Sequence, residues 1–494
     1  MNWKSPRSHP VVWLVTSFWF LAGILTQVTA RAGGAGGHGS HSSSHSSSHS
    51  SGHYSGGGMS HGSSTSGGAG GLMAGLFCFL FVFALIVIVI ALSRRAQKAK
   101  AGVVAYPPGS IPNEDSDTLA ARLAAIPGFQ PEAFRQKVAD AFLKIQTAWS
   151  TQNLADVRPF ISDGIYQRFS TQFRMMTLLK QSNPLSNIRI IAIDPVALAS
   201  DGDYDVLQVY VSASMNDSFV CELDHSLDSE DDLSFVEYWS FIRKRQCAAA
   251  DGDIYQNQSC PSCGAQLPPD MGELCRCPYC QVLVNSGEFD WVLAEITQQD
   301  DFGRDSDMAA RVAPQLSQAV ADLTPDAPDL VVQLIEDKAS NAFMQIMTAL
   351  ATRNPAIVRR FLSDDALEAI IAMVPEDNIV FNHLYLNEAV LLDAARVNDR
   401  HVLQIGLTAT LQRVRLDTAG GLSLVDPDEI RAGHVMTLER DAAAVPDKGA
   451  LYQHQCPNCS GAVGDSLDIN CQYCGVPLNS LRNEWIVTHF QRAD

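Results

Sequence analysis

Ala141-Phe142-Leu143-Lys144-Ile145-Gln146-Thr147-Ala148 returns 201 residues later as Ala342-Phe343-Met344-Gln345-Ile346-Met347-Thr348-Ala349. The same offset carries Asn153 onto Asn354, Val157 onto Val358, Arg158 onto Arg359, Phe160 onto Phe361, and Ser162-Asp163 onto Ser363-Asp364. A long internal repeat means that one structural unit is built twice. Around the first copy, Phe134, Val138, Phe142, Ile145 and Trp149 recur every three or four residues. In the second, Ile335, Ala339, Phe343, Ile346 and Leu350 do the same. Both stripes predict an amphipathic helix with its apolar face in a core.

Further along, the offset falls to 196. Leu207, Val209, Val211, Ala213 and Met215 alternate as a half-buried strand does, and Leu403, Ile405, Leu407, Ala409 and Leu411 repeat the alternation. Tyr238 to Arg243 reads as a later strand, with Val435 to Arg440 as its counterpart. Helices followed by several antiparallel strands give an α+β fold, in two copies over residues 117–248 and 325–445.

Cysteine pairs follow each copy. Cys260 and Cys263 precede Cys277 and Cys280; Cys456 and Cys459 precede Cys471 and Cys474. Thirteen residues separate the first two pairs and eleven the second two. Two Cys-x-x-Cys knuckles at this spacing close a tetrahedral thiolate shell, so residues 255–298 and 452–494 read as Cys₄ zinc ribbons with their tails, with iron or a redox dithiol as the alternatives. A shell of four thiolates has no open position, so two structural Zn²⁺ ions are expected and no catalytic one. Cys275 has no counterpart in the second copy and is set aside as a spare thiol, as are Cys221 and Cys247. Trp291 and Trp485 recur after the ribbons and are expected to pack them against their neighbours. Residues 299–324 read as a linker.

The chain has 494 residues and a net charge of −19. The first hundred residues contain no acid and seven bases, which leaves the remainder at −26. So acidic a body repels phosphates, and no nucleic-acid partner is expected. Lys4 and Arg7, the apolar run Val11 to Leu25 and Ala30-Arg31-Ala32 make residues 1–32 a signal peptide, with an uncleaved first transmembrane helix as the alternative. Residues 33–71 are Gly, Ser and His with no apolar pattern, and read as disordered. Their histidines could hold a soft metal weakly, though a polar linker explains them as well. Leu72 to Leu92 is unbroken apolar sequence, long enough for a transmembrane helix. Arg94, Arg95, Lys98 and Lys100 follow it within the linker 93–116, which puts the C-terminal body on the cytoplasmic side. A reducing cytoplasm suits free thiolates.

Residues 119–163, with Pro127-Gly128-Phe129, Phe134, Ala141-Phe142, Ile145, Ala148-Trp149 and Arg158-Pro159-Phe160, resemble the bacterial relatives of the Tim-44-like domain. The resemblance covers roughly 117–245 and, more faintly, 325–441. It implies a cone-shaped fold of the nuclear-transport-factor-2-like type, helices on a curved sheet, whose mouth can take a lipid, peptide or small molecule. It also implies a place at the bacterial inner membrane. The mitochondrial member is linked to acidic lipids and to a chaperone. This chain has its own anchor, an acidic body and added ribbons, so those roles do not carry over.

No nucleophile motif, phosphate loop or dinucleotide turn is present. Asp224-His225 is the nearest candidate acid–base pair, in a stretch that also reads as a solvated acidic loop. The leading expectation is a membrane-anchored, non-enzymatic adaptor with a protein or lipid partner. An enzyme with its site in the cone is the alternative. Ribbon-mediated nucleic-acid binding ranks last, since Arg276 is opposed by Asp270 and Glu273.

Overall fold

The computed structural model describes residues 114–247, 253–272, 275–302, 308–444, 456, 458–459, 461, 468–482 and 484–493, and the backbone of 30–31 and 34–35. The expected transmembrane run 72–92 and nearly all of the expected signal and Gly/Ser/His segments lie outside these residues. Among the described residues no helix is long and apolar enough to cross a membrane.

The first unit runs α1 (Ser116–Ala124), α2 (Pro131–Thr151), a 3₁₀ turn (Arg158–Phe160) and α3 (Asp163–Leu178). Strands β1 (Leu185–Asp201), β2 (Tyr204–Cys221), β3 (Ser229–Lys244) and β4 (Val292–Gln298) follow. The second unit repeats this order. Its helices are α4 (Leu316–Leu323), α5 (Val332–Thr352) and α6 (Asp364–Met373), with a 3₁₀ turn at Pro355–Val358. Its strands are β5 (Ile379–Val397), β6 (Arg400–Leu416), the short β7 (Leu422–Leu424), β8 (Ile430–Asp441) and β9 (Ile486–Arg492). The sheets run β1-β2-β3-β4 and β5-β6-β8-β9, antiparallel throughout.

Local chemistry repeats as well. Helices α2 and α5 both stop at a residue in the left-handed region, Gln152 at φ 51° and Arg353 at φ 54°. Ser162 and Ser363 cap α3 and α6, their hydroxyls accepting from the amides of Ile165 and Ala366. Strands β1 and β5 each carry three register shifts along β2 and β6. Such bulges bend a sheet, and here they curl each one around its long helix.

Both interiors are filled. Phe142, Trp239 and Phe241 are fully buried in the first unit, and the Phe142 and Trp239 rings lie 5.7 Å apart. Phe343, Ile346, Leu403, Ile405 and Leu407 are fully buried in the second. Each such side chain contributes roughly 1.5–3 kcal/mol.

Two expected boundaries change. The first unit does not end at 248, because β4 comes after the ribbon and completes the sheet by pairing Trp239 with Ile296 and Tyr238 with Thr297. In the second unit β9 pairs with β8 in the same way. Each ribbon is therefore an insertion between the third and fourth principal strands of its sheet. Residues 292–298 are buried throughout, which favours a place in the sheet over a free tail. The second correction is to the linker 299–324. It contains α4, whose Leu316, Val320 and Leu323 are buried in the second core as Leu119 and Leu123 of α1 are in the first.

His434 on β8 lies against Phe343 and Phe490, with ring centroids 5.4 and 5.3 Å away. Burial, aided by the Arg492 charge, pulls its pKa down to about 4. The folded state thus resists a proton that the unfolded chain accepts near pH 6.5. The stability from this residue is complete above that pH and is lost as pH falls toward 4, by about 2 kcal/mol at pH 5. The expected outcome is that His434→Leu flattens the fall in stability between pH 7 and 5 by about that amount. Parallel unfolding curves for the two proteins at both pH values would contradict it.

Candidate metal centres and the junction between the units

The knuckles form because tight turns aim successive backbone amides at a sulfur. In the first ribbon the Cys260 amide donates to the Ala265 carbonyl and the Cys277 amide to that of Val282. In the second the Cys471 amide donates to Val476. The residue after the second cysteine is left-handed at Gly264 (φ 68°), Gln281 (φ 63°) and Gly475 (φ 72°). Glycine adopts that region freely; glutamine adopts it at a cost.

These turns gather Cys260, Cys263, Cys277 and Cys280 into one cluster and Cys456, Cys459, Cys471 and Cys474 into another, with sulfurs within 4.8 Å of each other. The Cys260–Cys280 and Cys263–Cys277 sulfurs are 3.6 and 3.8 Å apart. Cys456–Cys474 and Cys459–Cys471 are 3.5 and 3.6 Å apart. A tetrahedral ion with metal–sulfur bonds of about 2.3 Å would set its sulfurs about 3.8 Å apart. Both clusters can therefore hold a metal ion. Cys275 is outside the cluster. It is fully buried, its thiol donates to the Arg158 carbonyl at 3.6 Å, and burial pushes its pKa up to about 12.

The first ribbon is part of its unit's core. Cys260, Cys275 and Cys277 lie in the same apolar cluster as Phe142 and Trp239. Tyr255 stacks on Phe160 at 4.6 Å, and its hydroxyl donates to the Trp291 carbonyl at 2.6 Å. The fully buried Arg158 reaches the Gly272 carbonyl and pairs with Asp163.

Contacts joining each ribbon's tail to its unit occur twice. Lys137–Asp290 in the first is matched by Lys338–Glu484 in the second, at 2.5 and 2.6 Å. The Asn285 side chain donates to the Ile161 carbonyl, and the Asn479 side chain to that of Leu362. Arg243 lies over Trp291, and Arg440 over Trp485. The tryptophans stand immediately before the last strand of each sheet and are buried in the core of their own unit.

Asp224 and His225 are not brought to any site. His225 is 77% exposed and pairs with Asp228, and the Asp224 side chain accepts from the Ser226 amide. The solvated-loop reading describes them.

A junction that the motifs did not reveal joins the two units. Arg168 of α3 makes a two-pronged ion pair with Glu295 of β4, both contacts at 2.5 Å, and also donates to Ser340 of α5 at 2.8 Å. Burial opposes the Arg168 charge, but the adjoining Glu295 carboxylate outweighs it and raises the pKa. Asp337 of α5 accepts from the Ser162 hydroxyl and the Gly164 amide at the start of α3. A Cβ at Gly164 would overlap Asp337, so glycine is needed for this approach. In return Asp201 of β1 accepts from the Val332 and Gln333 amides, at 3.0 and 2.9 Å, at the start of α5. Helix α5 has no side-chain cap of its own. Each unit thus caps a helix of the other. Thr171 meets Thr348 at 3.0 Å, and Gln172 donates to the Leu384 carbonyl. Met175 and Leu179 of the first unit lie in the core of the second. The sequence did carry a signal: under the repeat, Arg168 maps onto Ala369 and Glu295 onto His489, a buried pair with no counterpart.

Residues 116–254 match the family model described as the Tim44-like domain. The match spans the first unit up to its ribbon and stops short of Cys260. No curated protein matches the chain. Among solved structures, an "Ntf2 like protein involved in plasmid conjugation" is similar at 9% identity, covering 70% of this chain and 96% of that one, with a TM-score of 0.14. So loose a superposition carries no weight for the fold.

Proposed function

We propose that the chain is a non-enzymatic scaffold held at a membrane, presenting one rigid, protein-binding body braced by two structural zinc ions. The observation that carries this reading is the packing of both interiors. Where a cone-shaped fold would hold a substrate, Phe142, Trp239 and Phe241 in one unit and Phe343 in the other are fully buried among apolar neighbours. Zinc is the metal that all-thiolate tetrahedral ribbons suit best. The net −26 after residue 100 disfavours anionic lipid and favours a protein partner. The apolar run Leu72 to Leu92, with basic residues after it, supports an anchor with the body in the cytoplasm.

A reporter fused after Asp494 should behave as cytoplasmic. Full-length chain cross-linked in its own membranes should retain one protein partner reproducibly through salt washes. A periplasmic reporter would overturn the topology. Turnover of a small substrate by the purified chain, with no partner retained, would overturn the scaffold.

A further inference from the structure

His401 of β6 is fully buried, and among the described residues no protein group hydrogen-bonds either of its ring nitrogens. Buried polar atoms are nearly always partnered, so two orphans on one imidazole call for an explanation. A third lies opposite. Arg440 of β8 stands directly across the sheet from His401, is 3% exposed, and its Nε is also without a protein partner. The rest of that guanidinium is committed. Its two terminal nitrogens grip both oxygens of Asp329, at 2.5 and 2.8 Å, and it lies 4.5 Å over the centre of the Trp485 ring.

Four charged groups face His401: Arg440 on β8, Arg396 near the end of β5, and Asp326 and Asp329 on the segment between α4 and α5. The Trp485 ring lies beside it, with centroids 6.4 Å apart. Arg396 pairs with Asp326 as Arg440 does with Asp329, so each nearby carboxylate already belongs to an arginine. A neutral imidazole fits this place. An imidazolium would set a second positive charge beside Arg440 with no free carboxylate to meet it. Burial and the Arg440 charge accordingly hold the His401 pKa below its ordinary value.

The first unit lacks this arrangement. Under the repeat, His401, Arg396, Asp329 and Asp326 stand where it has Asp205, Ser200, Gly128 and Ala125. There Arg243 faces Asp205 across the sheet, an ordinary pairing of opposite charges. The histidine and its acidic neighbours belong to the second unit alone, and they stand where the chain enters the junction. Leu330, next to Asp329, is fully buried in the second core. Val331 and Leu334 share an apolar cluster with Tyr204, Val206 and Ile242 of the first unit. Val332 and Gln333 carry the amides that Asp201 caps. Only Leu330 separates Asp329 from residues held by the other unit.

We propose that His401 is a proton-sensitive switch on the junction: when its imidazole gains a proton, the Arg440–Asp329 pair gives way and the first turn of α5 loosens from the first unit. The proton adds a cation to the buried cluster, and Asp329 cannot serve both cations with two oxygens that Arg440 already holds. Whether Asp329 turns toward the imidazolium or the segment opens to water, the chain leading into α5 is released. The sign follows from the direction of the shift. A histidine that resists its proton in the folded state contributes fully above its unfolded value of 6.5, and that contribution is lost as pH falls below it. The junction is therefore closed at neutral pH and loosens in acid, so the relation between the two halves of the body follows the pH around it.

Hydrogen exchange at the Val332 and Gln333 amides of the full chain in lipid discs, read as protection factors, tests the proposal. The chain carries His434→Leu throughout, which removes the other histidine of lowered pKa. Protection of the two amides should fall about five- to tenfold between about pH 7.5 and about pH 5.5. Adding His401→Leu should shrink that fall to less than about twofold. His401→Asn, polar and neutral at both pH values, should do the same and replaces it if leucine lowers metal content or protease resistance. Asp329→Asn, which cannot form the ion pair, should show the low protection already at the higher pH. An equal fall with and without His401, or no fall when it is present, would overturn the proposal.

Discussion

Arg168→Ala is expected to destabilise the folded chain by about 3–5 kcal/mol, the usual cost of leaving one member of a buried ion pair alone. Arg168 and Glu295 are 5% and 8% exposed, and the guanidinium meets both carboxylate oxygens. Removing the arginine leaves a buried carboxylate without its counterion, and also breaks the link to Ser340 in the other unit. The magnitude is a large part of a typical domain's total of about 5–15 kcal/mol. A second variant separates the ion pair from simple loss of packing. Arg168→Met with Glu295→Met fills the space without charge and should recover most of the loss, because two apolar groups need no solvation. Denaturant unfolding of the three proteins checks this. Equal stability of Arg168→Ala and wild type would show that the pair is solvated.

The second large effect concerns the metal. Cys260→Ser should lower metal content from two ions per chain to one and open the first unit to protease at ordinary temperature. Structural zinc in a four-thiolate site contributes about 10–16 kcal/mol at neutral pH, comparable with the stability of a whole domain. In the first unit that energy acts on the main core, since Cys260, Cys275 and Cys277 share it with Phe142 and Trp239. The Tyr255–Phe160 stack and the Arg158–Gly272 bond depend on the same loop. Cys456→Ser should also lose one ion. Among the described residues its ribbon's cysteines stand outside the second core cluster, so damage there should stay local. Elemental analysis with limited proteolysis reads both outcomes. Wild-type protein purified without metal, yet fully protease-resistant, would refute the structural role.

Much of this architecture was legible from the repeat. The helical stripes, the alternating strands and the two cysteine clusters depend on local periodicity and spacing, which a sequence displays directly. The ribbon's place within the sheet was not legible. Val292 to Gln298 is a short run of mixed apolar and polar residues that reads equally well as a tail, and only its pairing with Tyr238 and Trp239 across the sheet decides the matter. The helix Leu316–Leu323 was hidden for a related reason: it is short, and its partners in the core lie far off in the chain. The junction was the least visible feature. Asp201, Asp337, Arg168 and Glu295 are ordinary polar residues in sequence, and they become significant only once two units bury them. Their clearest trace is that the repeat fails to reproduce the Arg168–Glu295 pair, at the place where one unit meets the other.

That the two units act as one body is the claim on which the rest depends, and native-state hydrogen exchange on the full chain in lipid discs tests it most directly. The reciprocal caps by Asp201 and Asp337, the Arg168 bridge, and Met175 and Leu179 inside the second core tie the two sheets together. The amides of Val209 and Val211 in β2 and of Ile405 and Leu407 in β6 should therefore exchange through one shared opening, at the same free energy. In Arg168→Ala both sets should fall together. Exchange of the β2 amides through an opening that leaves β6 fully protected, in the unmodified chain, would contradict the account.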